Sequence, residues 1–176
     1  MKRLINAFCV FLAVLIASNV GLSEIHLSSD VAWQVGVGTW PASLGWGDFD
    51  NNGWIDIVTG VGIDVDETPD AIYFNDETGL STTPGWQSEY EGGSCLLYVG
   101  DLDNDGDLDL VVPSDGQLGT NFPQEQVIYY NNDGFPASPD WVSEPLAAWS
   151  CVAGDADGDG DLDIVFPDHA YNGPNR

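Results

Sequence analysis

The chain has 176 residues, with 29 Asp or Glu against three Lys or Arg and a formal net charge of −26. Such a surface repels phosphate backbones and anionic lipid, which excludes nucleic-acid binding and anionic membrane binding. It also leaves the carboxylates short of Lys and Arg partners, so their counter-ions have to come from solution.

The first 23 residues stand apart from the rest. Lys2 and Arg3 make a short positive start, Leu4 to Ala17 is almost wholly apolar, and Gly21-Leu22-Ser23 precedes Glu24 as a cleavage signal. This is the layout of a secretory signal peptide, 1–23, with the remainder, 24–176, as the mature chain. The apolar run of 14 residues is short of the roughly 20 that span a bilayer, and an uncleaved anchor is the alternative. The expected location is therefore secreted, periplasmic or cell surface. Cleavage leaves all 29 acidic residues against one basic residue, Arg176, hence a net charge of −28. Bound cations answer that charge, as does a high-salt habitat, and the spacing of the acids has to decide between them. Cys95 and Cys151 also survive cleavage, six and four residues before an Asp-rich loop. In an exported chain they are open to a disulfide or to burial as two thiols.

Self-comparison reveals a repeat. Gly47-Asp48-Phe49-Asp50-Asn51-Asn52-Gly53-Trp54-Ile55-Asp56-Ile57-Val58 returns as Gly100-Asp101-Leu102-Asp103-Asn104-Asp105-Gly106-Asp107-Leu108-Asp109-Leu110-Val111, and again from Gly154 to Val165. The first Asp moves by 53 and then 54 residues. Trp33, Trp86 and Trp141 precede their loops by 15, 15 and 14 residues, and Ile72-Tyr73-Phe74-Asn75 matches Ile128-Tyr129-Tyr130-Asn131.

Each unit reads as strands. Leu96–Val99 and Cys151–Ala153 are short apolar runs before a loop. After the loops, Ile55/Ile57, Leu108/Leu110/Val112 and Leu162/Ile164/Phe166 alternate with Asp, a period of two that ends at Pro113 or Pro167 in two copies. The Tyr/Phe segment predicts a third strand and the Trp86 or Trp141 stretch a fourth. Linkers such as Asn132-Asp133-Gly134-Phe135-Pro136 carry turn residues. No apolar spacing holds a helical period over three turns, so the class is all-β.

Within each nine-residue loop, oxygen-bearing side chains fall at positions 1, 3, 5 and 9, with Gly at position 6. The candidate ligands are Asp48, Asp50, Asn52 and Asp56; Asp101, Asp103, Asp105 and Asp109; and Asp155, Asp157, Asp159 and Asp163. Position 7 (Trp54, Asp107 or Asp161) offers its backbone carbonyl, a slot even Trp54 fills. Alternate residues turned inward around a tight curve bring such oxygens to about 2.3–2.6 Å from one ion. Hard oxygens without His or Cys favour calcium over zinc, and magnesium wants a stricter six-fold geometry. An EF-hand is excluded, because position 12 is Thr59, Val112 or Phe166 where Glu is required, and the flanks are strands. One Asp-rich stretch alone reads as a solvated turn. Thirteen Asp packed into three nine-residue loops would repel severely without cations, so about three Ca2+ are expected. Asn52 and Trp54 leave the first loop with the fewest charges.

The Gly-Asp-x-Asp-x-Asp/Asn-Gly-x-x-Asp-hydrophobic core, its flanking strands and the period resemble the FG-GAP/VCBS-type repeats of integrin-α-like β-propellers, over residues ~30–176. The strict Phe-Gly…Gly-Ala-Pro wording is absent, which brings the chain nearer to the bacterial VCBS style. The resemblance implies four-stranded blades with calcium in the loop between two adjacent strands. It implies the Asp and Asn residues above as ligands, Asp48, Asp50, Asn52 and Asp56 in the first loop. Propellers close with four to eight blades, whereas the 153 mature residues hold about 2.8 repeats. The expectation is an incomplete propeller: a fragment, a truncated gene, or a chain that needs further repeats or copies to close.

Three functions are weighed on this basis. The first is an exported, non-enzymatic binding or adhesion module stabilised by calcium, with an extracellular protein or glycan as partner. The second is the front part of an extracellular carbohydrate-active enzyme, since some polysaccharide lyases resemble this repeat. The mature chain offers that reading no Lys, no internal Arg, and only His26 and His169. The third is a sugar-binding lectin surface. Trp33, Trp86 and Trp141 recur at one repeat position and are read as inter-blade packing, which leaves Trp40 and Trp149 as the better surface candidates.

Overall fold

A computed structural model describes residues 33–34, 41–61, 69–90, 93–114 and 125–167. The leader, Trp40, His26 and His169 lie outside them. Every regular element among the described residues is a strand. β1 (Pro41–Gly47), β2 (Asp56–Val61), β3 (Ala71–Tyr73) and, after a small hairpin of β4 (Asn75–Asp76) and β5 (Gly79–Leu80), β6 (Trp86–Gln87) make the first unit. They form an antiparallel sheet in the order β1-β2-β3-β6. β7 (Tyr98–Gly100), β8 (Asp109–Val112), β9 (Val127–Tyr129) and β10 (Trp141–Val142) repeat this as a second four-stranded sheet, β7-β8-β9-β10. β11 (Val152–Gly154) and β12 (Asp163–Val165) pair as the start of a third. Among the described residues no sheet closes on itself. The chain is therefore all-β, built of β-propeller-like blades, with the repeat of the sequence visible as a repeat of sheets.

The register follows from the period of two. Gly47 faces Asp56 in β1–β2, Gly100 faces Asp109 in β7–β8, and Gly154 faces Asp163 in β11–β12. Each Asp-rich loop is thus the connection of the first hairpin of its blade, and all three hairpins open with the same pair.

The blades stack face to face, and the middle one is covered on both sides. Leu110 and Val112 of β8 join Phe49, Val58, Ile72, Val127 and Tyr129 in one core between the first and second blades. Val111 turns the other way, joining Leu102, Ile128 and Cys151 in a second core against the third blade. Every residue of β8 is buried as a result. The segments just before the first strands of the second and third blades also meet: Leu96 N–H donates to Trp149 C=O at 2.9 Å, and Leu96 bridges Ser150 in parallel.

The tryptophans at the shared position pack as expected of inter-blade residues. Trp86 sits edge-on to Tyr129 with centroids 5.1 Å apart, and its Nε1–H donates to Pro136 C=O at 2.9 Å. Trp141 lies parallel to Phe166 at 6.4 Å, and Trp33 meets Tyr73 edge-on at 5.3 Å. Trp149 is exposed, consistent with its candidacy for the surface. Among the described residues, Cys95 and Cys151 are thiols, and burial pushes the Cys151 thiol up to about 12.

Close approach of the first two blades depends on glycine in β1. A Cβ on Gly45 would lie 2.8 Å from Val99 Cγ2 and 2.9 Å from Val58 Cγ1, both on β-branched side chains with little rotamer freedom. Gly45→Ala is expected to cost about 1–3 kcal/mol through overpacking. The check is a lower urea midpoint with an unchanged denaturant slope.

Candidate metal centre

Each loop turns through two residues with positive φ. Position 4 is Asn51 at 55°, Asn104 at 61° or Gly158 at 82°, and position 6 is Gly53 at 90°, Gly106 at 99° or Gly160 at 101°. The space around the position 6 glycines is open, so conformation and not crowding calls for glycine there.

Position 1 organises the curve. Asp48 accepts from Asn52 N–H at 2.9 Å and Gly53 N–H at 2.8 Å, one on each oxygen. Asp101 does the same with Asp105 N–H and Gly106 N–H, both at 3.1 Å. Asp155 accepts from Gly158 N–H at 2.6 Å and Gly160 N–H at 3.1 Å. A carboxylate oxygen holding one amide keeps a lone pair for a further partner.

Position 9 is the anchor. In Asp56, one oxygen accepts from Phe49 N–H at 2.8 Å inside the loop and the other from Asn75 N–H at 2.7 Å beyond β3. Asp109 repeats this with Leu102 N–H at 2.7 Å and Asn131 N–H at 2.9 Å. Asp163 accepts from Ala156 N–H at 2.9 Å and stays exposed. Asp56 and Asp109 are fully buried. Burial pushes both carboxyls above their ordinary value, the two amide bonds pull them back, and the neighbouring Asp side chains push further.

Carboxylate oxygens of positions 1, 3 and 9 converge in every copy. Asp48, Asp50 and Asp56 form one group, Asp101, Asp103 and Asp109 a second, and Asp155, Asp157 and Asp163 a third, with the ligand atoms of each group within 4.8 Å of one another. Oxygens on opposite sides of one calcium ion stand about 4.6–5.2 Å apart, twice the metal–oxygen distance. The spacing and the all-oxygen donor set therefore fit one hard divalent cation per loop. Such an ion would supply charge neutralisation and would fasten the two ends of the first hairpin.

The other expected ligands sit differently. At position 5, Asn52, Asp105 and Asp159 each turn one oxygen to the position 7 amide, at 2.8, 2.8 and 3.0 Å. The second oxygens of Asp105 and Asp159 remain, whereas the remaining group of Asn52 is an amide that donates to Asn75 C=O and Asp50. At position 7, Asp107 accepts from Asn51 of the preceding loop at 2.6 Å, and Asp161 from Asn104 at 3.4 Å. These side chains link neighbouring loops, while Trp54 is exposed.

Asn75 and Asn131 are residues that loop spacing does not bring to notice. Besides holding position 9 through their amides, their side chains donate to Ile55 C=O at 2.9 Å and Phe49 C=O at 2.8 Å respectively. The second of these bonds ties the second blade to the loop of the first. The recurring Ile-Tyr-aromatic-Asn segment carried the signal, as the one polar residue closing an apolar strand.

Residues 118–166 match the family model described as FG-GAP-like repeat, a span running from before β9 through the third loop to the end of β12. The chain thus carries an FG-GAP-like repeat at 118–166. The match covers about one period, and the internal alignment extends the same FG-GAP-type pattern to the first two loops. No curated protein matches the chain. The acidic groups of all three loops stand at the same hairpin, the first of each blade.

Proposed function

We propose that this chain is an exported, calcium-stabilised binding or adhesion module that performs no catalysis. The observation that carries the reading is the threefold recurrence of a position 1, 3 and 9 carboxylate group in FG-GAP-type blades. Asp48, Asp50 and Asp56 would hold the first ion. Asp101, Asp103 and Asp109, with Asp105, would hold the second, and Asp155, Asp157 and Asp163, with Asp159, the third. The position 7 carbonyls complete each set. A cation surrounded by protein oxygens has little room for a substrate, so the ions serve the fold, and the blade surfaces are left to meet an extracellular protein or glycan. Export rests on the leader at Met1–Ser23 and on the charge of the remainder.

Calorimetric titration of the metal-free chain with calcium should reveal about three sites. The first loop should be the weakest, because Asn52 spends its side-chain amide on Asn75 and Asp50 and carries no charge. No calcium uptake, together with a thermal midpoint indifferent to EDTA, would overturn the metal assignment. Glycan arrays and cell-binding assays with and without calcium test the adhesion role. Lyase activity on acidic polysaccharides would sink the non-enzymatic reading.

A further inference from the structure

Asp56 and Asp109, the position 9 carboxylates of the first two loops, are joined by three hydrogen bonds that all lie in the interior. Asp109 accepts from Asn131 N–H at 2.9 Å, Asn131 Nδ2 donates to Phe49 C=O at 2.8 Å, and Phe49 N–H donates to Asp56 at 2.8 Å. Asn131 stands in the middle and is held from its other side, its Oδ1 accepting from Gly134 N–H at 2.9 Å. Phe49 is held too, its ring meeting Phe135 edge-on at 5.8 Å in the core between the two blades. The equivalent residue of the first blade, Asn75, instead turns its side chain to Ile55 C=O of its own loop. Positioning Asp109 takes only the backbone N–H of Asn131, so the side chain is left to serve the neighbouring loop.

Resting on the calcium reading above, we propose that Asn131 couples the first two loops, so that calcium in the second raises the affinity of the first. An ion on Asp109 fixes the carboxylate that holds Asn131, and through its side-chain amide the Phe49 backbone that holds Asp56. The ordering that the first loop otherwise has to supply when it takes its own ion is then already in place, and the second binding costs less. The second loop carries five Asp and the first three, so the second fills first and the poorer site gains. Charge acts the other way, since an ion in the second loop weakens the field that draws a cation to the first. At about 0.15 M salt that field is screened beyond roughly 8 Å, whereas the three bonds lie out of water. The other link between these loops, from Asn51 to Asp107 at 2.6 Å, is exposed, and water competes for it.

Residue-resolved calcium titration of the full chain tests the coupling. Gly53, Gly106 and Gly160 N–H each donate to the position 1 carboxylate of their own loop, so their amide resonances follow the three loops separately. Asp103→Ala disables the second loop at an exposed side chain, and an unmoved Gly106 resonance verifies that it stays empty. The Gly53 midpoint should then rise about fivefold or more above that of the wild-type chain. In Asn131→Ala, which keeps the backbone N–H for Asp109, adding Asp103→Ala should leave the Gly53 midpoint where it is. Asn131→Ala also strips Phe49 C=O and Gly134 N–H of a partner, so a second measurement keeps Asn131 intact. Calcium added to an Asp50→Ala chain, whose first loop is disabled, should slow hydrogen exchange at Phe49 N–H. The reference is Gly85 N–H, which bonds Ile72 C=O in the same blade and off this path. A Gly53 midpoint indifferent to Asp103→Ala, a shift that survives Asn131→Ala, or Phe49 exchange that slows no more than Gly85 would each overturn the coupling and leave calcium binding intact. Three glycine resonances that ignore calcium altogether would overturn the metal reading itself, and the coupling with it.

Discussion

Asp109→Ala is expected to be the most destabilising single substitution in the loops, at about 2–5 kcal/mol in the absence of metal. Its carboxylate is buried and accepts from Leu102 N–H and Asn131 N–H. Removing it orphans the two amides that donate to it, and each such orphan costs about 1–3 kcal/mol. Relief of the desolvated charge offsets a part, since burial already raises this carboxyl. Asp109→Asn is intermediate: its oxygen serves one amide while its NH2 confronts the other. Asp163→Ala is the control, at about 1 kcal/mol or less, because Asp163 is exposed and accepts one loop amide, from Ala156. Urea denaturation in EDTA measures all three. Equal losses at Asp109 and Asp163 would mean that the buried bridge between loop and β9 is not what stabilises the second blade.

That contrast between Asp109 and Asp163 also marks the boundary of what the sequence reveals. The period, the loop spacing and the alternation after each loop are local, so the all-β class and the first hairpin of every blade were legible residue by residue. Position 6 was legible too, because a positive φ leaves its own mark as glycine. The side chain of position 7 was not: the spacing offers its backbone carbonyl to its own loop and says nothing of the Asp107 carboxylate, which accepts from Asn51 one blade away. Position 5 likewise reads as a ligand, while one of its oxygens is turned to a backbone amide. Position 9 reads as one ligand among equals, whereas burial and a bond to the far end of the blade set it apart. These distinctions depend on how blades stack. Stacking is set by side-chain volumes at Gly45, Val99 and Leu108, far from the acidic motif in the chain and invisible to a count of carboxylates. The tryptophans mark the same divide, since recurrence at one position foretold the packing of Trp86 but not its bond to Pro136.

Removing calcium is expected to lower the thermal midpoint more than any loop substitution does. A ligand that binds only the folded state at about 100 times its Kd stabilises by about 2.7 kcal/mol per site, so three sites supply about 8 kcal/mol. For a chain of this size that corresponds to a shift of roughly 15–30 °C on adding EDTA. The pH dependence should reverse with it. Without metal, burial raises Asp56 and Asp109 above their ordinary value, so the folded state holds these protons more tightly than the unfolded chain does. Where the folded state binds more protons, stability falls as pH rises. The metal-free chain should therefore gain stability on acidification from neutral pH through the raised values. With calcium present, protons compete with the cation for the same oxygens, and acidification over that window should cost stability. Diffuse repulsion among the other carboxylates also eases in acid, but it is present in both samples, and about 0.15 M salt screens it. The deciding measurement is thus the difference between the two slopes, taken by thermal melts in calcium and in EDTA. Parallel slopes would mean that the carboxylates of positions 1, 3 and 9 meet no ion, and that the acidic loops are turns held by their amides alone.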